Sequence, residues 1–118
     1  IGDDEAQQRT AAQTLEKAET VAISVHALCE FAWVLDRSYH VGKPDIATAM
    51  RRILDIRNVT ANRPAIEAGL AVLDAGGDFA DGVIAYEGQW LGAETFVSFD
   101  RKATKLVEAQ GITTRLLT

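Results

Sequence analysis

The chain has 118 residues, 47% of them hydrophobic and 25% charged, enough for one domain with a core and too few for two. Its formal charge of -5 argues against a basic nucleic-acid coat protein, and leaves open an enzyme that touches nucleic acid locally. Cys29 is the only cysteine, which excludes an internal disulfide and points to a reducing compartment, the cytoplasm.

Asp3-Asp4-Glu5 is the acid-rich first turn of a helix running to about Ala18, with Ala6, Ala11, Ala12 and Leu15 as a modest apolar side. Val21-Ala22-Ile23-Ser24-Val25 is short and β-branched and reads as a buried strand. A helix follows over 26–37, with Leu28, Phe31, Ala32 and Leu35 as its apolar stripe. Glu30 lies off that stripe, just beyond the strand's carboxyl end, so it is either a solvated residue or a cleft acid. His26 and His40 have no partner at metal-ligand spacing, and Cys29 has no catalytic company and fills space as a small apolar group.

Gly42-Lys43-Pro44-Asp45 is a turn with Asp45 as a cap, and 46–56 is helical, turning Met50, Ile53 and Leu54 to the core and Arg51 and Arg52 to solvent. Residues 58–60 form a short strand, and Pro64 opens a helix to about Leu73 that Ala75-Gly76-Gly77 breaks. Asp78 then caps a helix whose apolar positions are 79, 83, 86 and 90. Asp78 and Asp81, three apart, share a side away from that stripe. A strand over 95–99 leads into Asp100, a helix over 102–110 stops at Gly111, and 112–117 is a final strand. Trp33 and Trp90 fall in helices and read as packing residues rather than base-stacking platforms. No apolar run reaches membrane-span length, and no signal peptide, repeat or linker is visible.

The order helix–strand–helix–helix–strand–helix–helix–strand–helix–strand predicts an α/β fold, a three-layer α/β/α sandwich with a mainly parallel sheet. The start of the Asp78 helix and the end of the 95–99 strand then share the carboxyl edge of the sheet, where open α/β sheets bind ligands. Asp81 and Asp100 become candidates for one site.

In this order the pieces resemble the PIN domain, and within it the VapC-type toxins of bacterial toxin–antitoxin pairs. Val25-His26-Ala27-Leu28-Cys29-Glu30-Phe31-Ala32-Trp33-Val34-Leu35-Asp36-Arg37 is similar to that family's second motif, an acid in a helix followed by an apolar Trp-Val-Leu run. Asp78-Phe79-Ala80-Asp81-Gly82-Val83-Ile84-Ala85 is similar to the third, whose metal-ligand acid falls on Asp81, and Ser98-Phe99-Asp100-Arg101-Lys102-Ala103 to the fourth. The resemblance spans essentially the whole chain, read as a single PIN-like domain over 1–118. The family's first strand, ending in Asp-Thr-Asn and central in its sheet, is absent, and a chain beginning at Ile rather than Met is read as trimmed ahead of it.

The resemblance implies metal-dependent endoribonucleolytic cleavage of RNA. It implies Glu30, Asp81 and Asp100 as metal ligands, together with an Asp outside this stretch, and an antitoxin partner and a homodimer. Clustered carboxylates stay jointly ionised only around a cation, and oxygen-only donors favour Mg²⁺, with Mn²⁺ as the alternative. The helix start at Asp78 is expected to ease ionisation of Asp81, and Asp78 itself has an outer supporting role. Ser98 orients a ligand or fills the strand end; Arg101 and Lys102 hold RNA phosphate or are solvated. Two other readings remain open: a catalytically inactive PIN-like protein-interaction domain, and a phosphoacceptor receiver module in which Asp3-Asp4 would be the acid pair.

Overall fold

The computed structural model describes residues 2–118. The elements run α1 (Gly2–Lys17), β1 (Val21–Ile23), α2 (Val25–Arg37), α3 (Lys43–Leu54), β2 (Val59–Ala61), α4 (Arg63–Asp74), α5 (Phe79–Trp90), β3 (Phe96–Ser98), α6 (Arg101–Ala109) and β4 (Thr114–Leu116). The order matches the sequence reading element by element, and the α/β class with parallel strands among helices holds.

The strands are three residues each: β1, β3 and β4 are shorter than the runs read from sequence, and β2 has the expected length one residue later. They form two parallel pairs rather than one sheet: β1 with β2, in register from Val21–Val59 to Ile23–Ala61, and β3 with β4, from Phe96–Thr114 to Ser98–Leu116. Among the described residues no strand bridges the pairs, so each strand keeps one edge without ladder bonds.

The α4–α5 hairpin is the spine. Ile66, Leu70 and Leu73 of α4 and Phe79 and Val83 of α5 join Leu28 of α2 and Ile46, Met50 and Leu54 of α3 in the main core. A smaller core gathers Val72, Ala85 and Val107, with Phe96 and Ile112 packed against it. The two spine helices approach through glycine. A Cβ on Gly82 would collide with the Ala68 carbonyl oxygen, and one on Gly69 would lie 2.6 Å from Phe79 Cε1. Burying apolar side chains on several faces of one hairpin is what ties the strand pairs to one body.

Helix starts follow local chemistry. Ser24 Oγ accepts from Ala27 N–H at 3.0 Å, and Asn62 Oδ1 accepts from Ala65 N–H. α3 begins at Lys43, earlier than predicted, because Pro44 at its first positions presets helical φ; Gly42 rather than Asp45 is the N-cap. Arg51 is not free in solvent: its guanidinium forks onto the Asp74 carboxylate at 3.3 and 2.6 Å, joining the ends of α3 and α4.

Three other expectations change. α1 buries no described side chain, and its tie to the body is Asn58 Nδ2, which donates to the Leu15 and Ala18 carbonyls at 2.8 and 3.0 Å. Trp33 and Trp90 do not pack inside: they are 60% and 75% exposed. Trp90 shares the face of buried Phe79 and Val83 but stands at the last position of α5, and its Nε1 donates to Tyr86 Oη at 2.8 Å; Trp33, on α2, lines a surface cleft. Finally, Asp3 and Asp4 fall within the first turn of α1 and not at a strand end, which removes the arrangement the receiver reading needs.

Candidate active site

α4 is stopped by Gly76, whose φ of 95° is open to glycine at little cost and which donates its N–H back to Leu73 O at 2.9 Å. Gly77 follows where a side chain would not fit: its Cβ would sit 2.5 Å from Leu106 Cδ1. This tight exit brings the start of α5 against α6. Asp78 is the N-cap residue of α5 in extended geometry, yet its carboxylate makes no capping bond, unlike the predicted cap. It lines a pocket instead.

Asp81 stands in the first turn of α5, its N–H donating to Asp78 O at 3.1 Å. Asp100 comes from the β3–β4 pair. It follows β3, and its carboxylate is fixed by Oδ1 accepting from Ala103 N–H at 3.1 Å as the N-cap of α6. Ser98 Oγ in turn accepts from Asp100 N–H at 3.0 Å, so the serine holds the turn that presents the acid. Asp78, Asp81 and Asp100 line one pocket of about 170 Å³, with Lys43 and Lys102 on its wall.

The charges interact. Burial pushes the Asp81 carboxyl above the usual carboxylate range, and the neighbouring Asp78 and Asp100 push it further. The easing expected from the helix start is therefore outweighed: desolvation and two like charges exceed the partial positive charge of the N-terminus. Cys29 is also raised, first by burial and then by Glu87, which keeps it a thiol and fits its reading as an inert filler.

Glu30 stands apart. It lies nearly two turns into α2, with a side chain 68% exposed, and takes His26 Nε2 at 2.9 Å on Oε1. It does not line the pocket of Asp81 and Asp100. Arg101, at the first position of α6, is exposed and off the pocket, whereas Lys102 lines it. Lys43 was not legible as a site residue from its turn. The available signal was electrostatic: a lysine at a helix's first position opposes the helix dipole, and such a broken local rule marks functional ground.

The chemistry suits a hard divalent cation: the pocket offers carboxylate oxygens and no Cys or His, and burial, then Asp78 and Asp100, raise Asp81. Among the described residues no three Asp, Glu, His or Cys side chains are arranged to hold an ion by themselves. The fit is thus one of chemistry, with Asp81 and Asp100 as the residues that would carry it.

An acid-lined pocket at the carboxyl end of a parallel strand pair, next to a helix N-terminus, defines an α/β domain built for charged ligands. The PIN-domain family model matches residues 1–108, and the chain belongs to that family. No curated protein and no solved structure matches the chain. PIN domains are generally nucleases that bind RNA and typically use divalent metal ions, and many are toxins of toxin–antitoxin systems. No helix among the described residues is long and apolar enough to cross a membrane.

Proposed function

We propose that this protein is a VapC-type toxin, a metal-dependent endoribonuclease that cleaves RNA phosphodiester bonds. The supporting observation is that Asp81 from the first turn of α5 and Asp100 from the end of β3 line one pocket, where burial and then Asp78 and Asp100 raise Asp81. Asp81 and Asp100 would hold Mg²⁺, or Mn²⁺, and the family resemblance adds Glu30. When bound, the divalent ion supplies Lewis acidity to the phosphoryl oxygen and to a water nucleophile.

The chain's own groups do the rest. Ser98 holds the Asp100 turn rigid. Asp78, free of capping duty, adds negative charge at the pocket edge from outside the ligand set. Lys102 attracts the phosphate, and Arg101 beside it contributes a weaker, more solvated charge. The toxin reading brings an antitoxin partner that silences the cleft, a homodimer and a cytoplasmic place of action, which a single cysteine kept as a thiol suits.

The test is a panel of structured RNAs incubated with the intact protein and with Asp81→Asn, each with Mg²⁺, Mn²⁺ and EDTA. Cleavage requires a divalent ion, and Asp81→Asn lowers its rate by ~10²–10³, the usual worth of one transition-state electrostatic group. Asn keeps the shape and one carbonyl oxygen but loses the charge. Equal cleavage by the variant, or cleavage that persists in EDTA, refutes the reading. No cleavage by the wild-type protein in any metal favours the inactive protein-interaction domain, to which the lack of a ready three-residue ligand group among the described residues also points.

A further inference from the structure

A second cleft adjoins the acid pocket. It measures about 70 Å³, its apolar wall includes Ala32, Ile46, Leu73 and Phe79, and Trp33 stands at its rim. Lys43 and Asp78 line both this cleft and the acid pocket, so the two form one continuous surface with a lysine at the seam. Trp33 is 60% exposed although its helix buries Leu28 and the adjacent Ala32. An indole held out by a well-packed helix loses little freedom when something stacks on it.

We propose that Trp33 and this cleft hold a nucleobase beside the scissile phosphate of single-stranded RNA, and that Lys43 takes the phosphate between them. The proposal rests on the nuclease reading and adds to it the residues that hold the base and its phosphate. Unpaired RNA bases stack on exposed aromatic side chains, and every base offers the face this requires. The linkage of the two pockets argues for a ligand that carries an apolar ring and an anion in succession, which a nucleotide does. Lys43 supplies a positive charge where the neighbouring wall is acidic, the place at which a phosphate would otherwise be repelled. Asp36, also on the cleft, offers an acceptor to a base edge that donates N–H. A protein segment on the same face would use the apolar wall but has no call for the lysine at the seam.

The experiment uses the intact protein with Ca²⁺ in place of Mg²⁺ and a short, unstructured, labelled RNA. In a Trp90→Phe background Trp33 is the only indole. RNA quenches its fluorescence, and Trp33→Ala weakens binding by roughly 5- to 150-fold, the range for losing one base–aromatic stack. Trp33→Phe keeps most of the affinity. With Mg²⁺ the loss in Trp33→Ala falls on KM rather than on kcat, since stacking holds ground state and transition state alike. Unquenched fluorescence, or Trp33→Ala binding as tightly as wild type, overturns the base site. So does a change of oligomeric state in Trp33→Ala, which would put a second copy on this face. If wild type and Trp33→Ala cleave with equal KM, the base site fails and the nuclease stands. If RNA quenches Trp33 but is never cut, the nuclease reading fails and the base site stands. If no RNA binds, both fall.

Discussion

α1 and α5 both begin in acids, Asp3-Asp4-Glu5 in one and Asp78 and Asp81 in the other. By sequence alone each is a helix start with dipole-compensating charge. Asp4 and Glu5 are exposed on a helix that buries no described side chain. Asp81 is half-buried, at the start of a helix that buries Phe79, Gly82, Val83 and Ala85 against the spine. The acids are of one kind; the packing behind them differs. A carboxylate becomes chemically distinctive when its helix is pressed into a core, because only then do desolvation and fixed neighbours act on it.

That contrast can be broken most severely at Phe79. The ring is 2% exposed and packs against the α4–α5 contact, one residue from Asp78. Phe79→Ala is expected to cost ~3–5 kcal/mol, read as a lowered urea midpoint, and to abolish any RNA cleavage with it. Leu15→Ala on α1, where the side chain is exposed, changes stability by no more than ~0.5 kcal/mol. Equal costs at the two positions would show that α5 is not the better-anchored helix.

Gly82→Ala comes next. The added Cβ meets the Ala68 carbonyl and the Gly69 Cα, which are backbone and cannot swing aside. Overpacking of this kind costs ~1–3 kcal/mol. Because α5 must shift away from α4, the Asp81–Asp100 spacing changes too, so cleavage should fall by more than thermal stability explains. A variant as stable and active as wild type would mean that the close approach of α4 and α5 is not what sets the acids.

These two positions also mark how far sequence reaches. The Phe79–Val83 stripe and the Gly76-Gly77 break are periodic or conformational signals, and both are legible without coordinates. So is the order of elements. The approach of Gly82 to Ala68 is not legible, because it depends on which helix lies opposite. The pairing of Asp100 with Asp81 follows from sequence only if a shared sheet edge is assumed. Nothing local marks Lys43, whose place on the pocket wall comes from the fold, and helical spacing gives Trp33 a face and not what covers it. The split into two strand pairs was hidden for a related reason: ladder bonds are set by neighbours far away in the chain.

A smaller effect is expected at Asn58, where the tie between α1 and the body can be cut. Its amide serves two carbonyls at the end of α1, and Asn58→Ala leaves both to water. The expected loss is ~1 kcal/mol, seen as faster hydrogen exchange in α1 with exchange in α5 unchanged. If α5 amides also speed up, the two helices are coupled more closely than their burial suggests.

The finest comparison sets Asp81→Asn against Asp4→Asn, both measured without metal, in EDTA. Burial first, then Asp78 and Asp100, raise the folded-state pKa of Asp81 above its unfolded value of about 3.9. The folded protein therefore holds that proton more tightly than the unfolded chain does. The resulting stabilisation is fully present below the unfolded pKa and is lost as pH rises through the raised folded value. Above that window wild-type Asp81 is a charge forced to ionise among other acids, and Asn, carrying none, is expected to be slightly more stable. Asp4→Asn changes a residue exposed to water on a helix that buries no described side chain, and should change stability little. Urea midpoints for both variants between pH 3 and pH 8 decide it. A wild-type curve that climbs across the window relative to Asp81→Asn would reverse the sign, and would mean that the helix N-terminus and not its acidic neighbours governs Asp81.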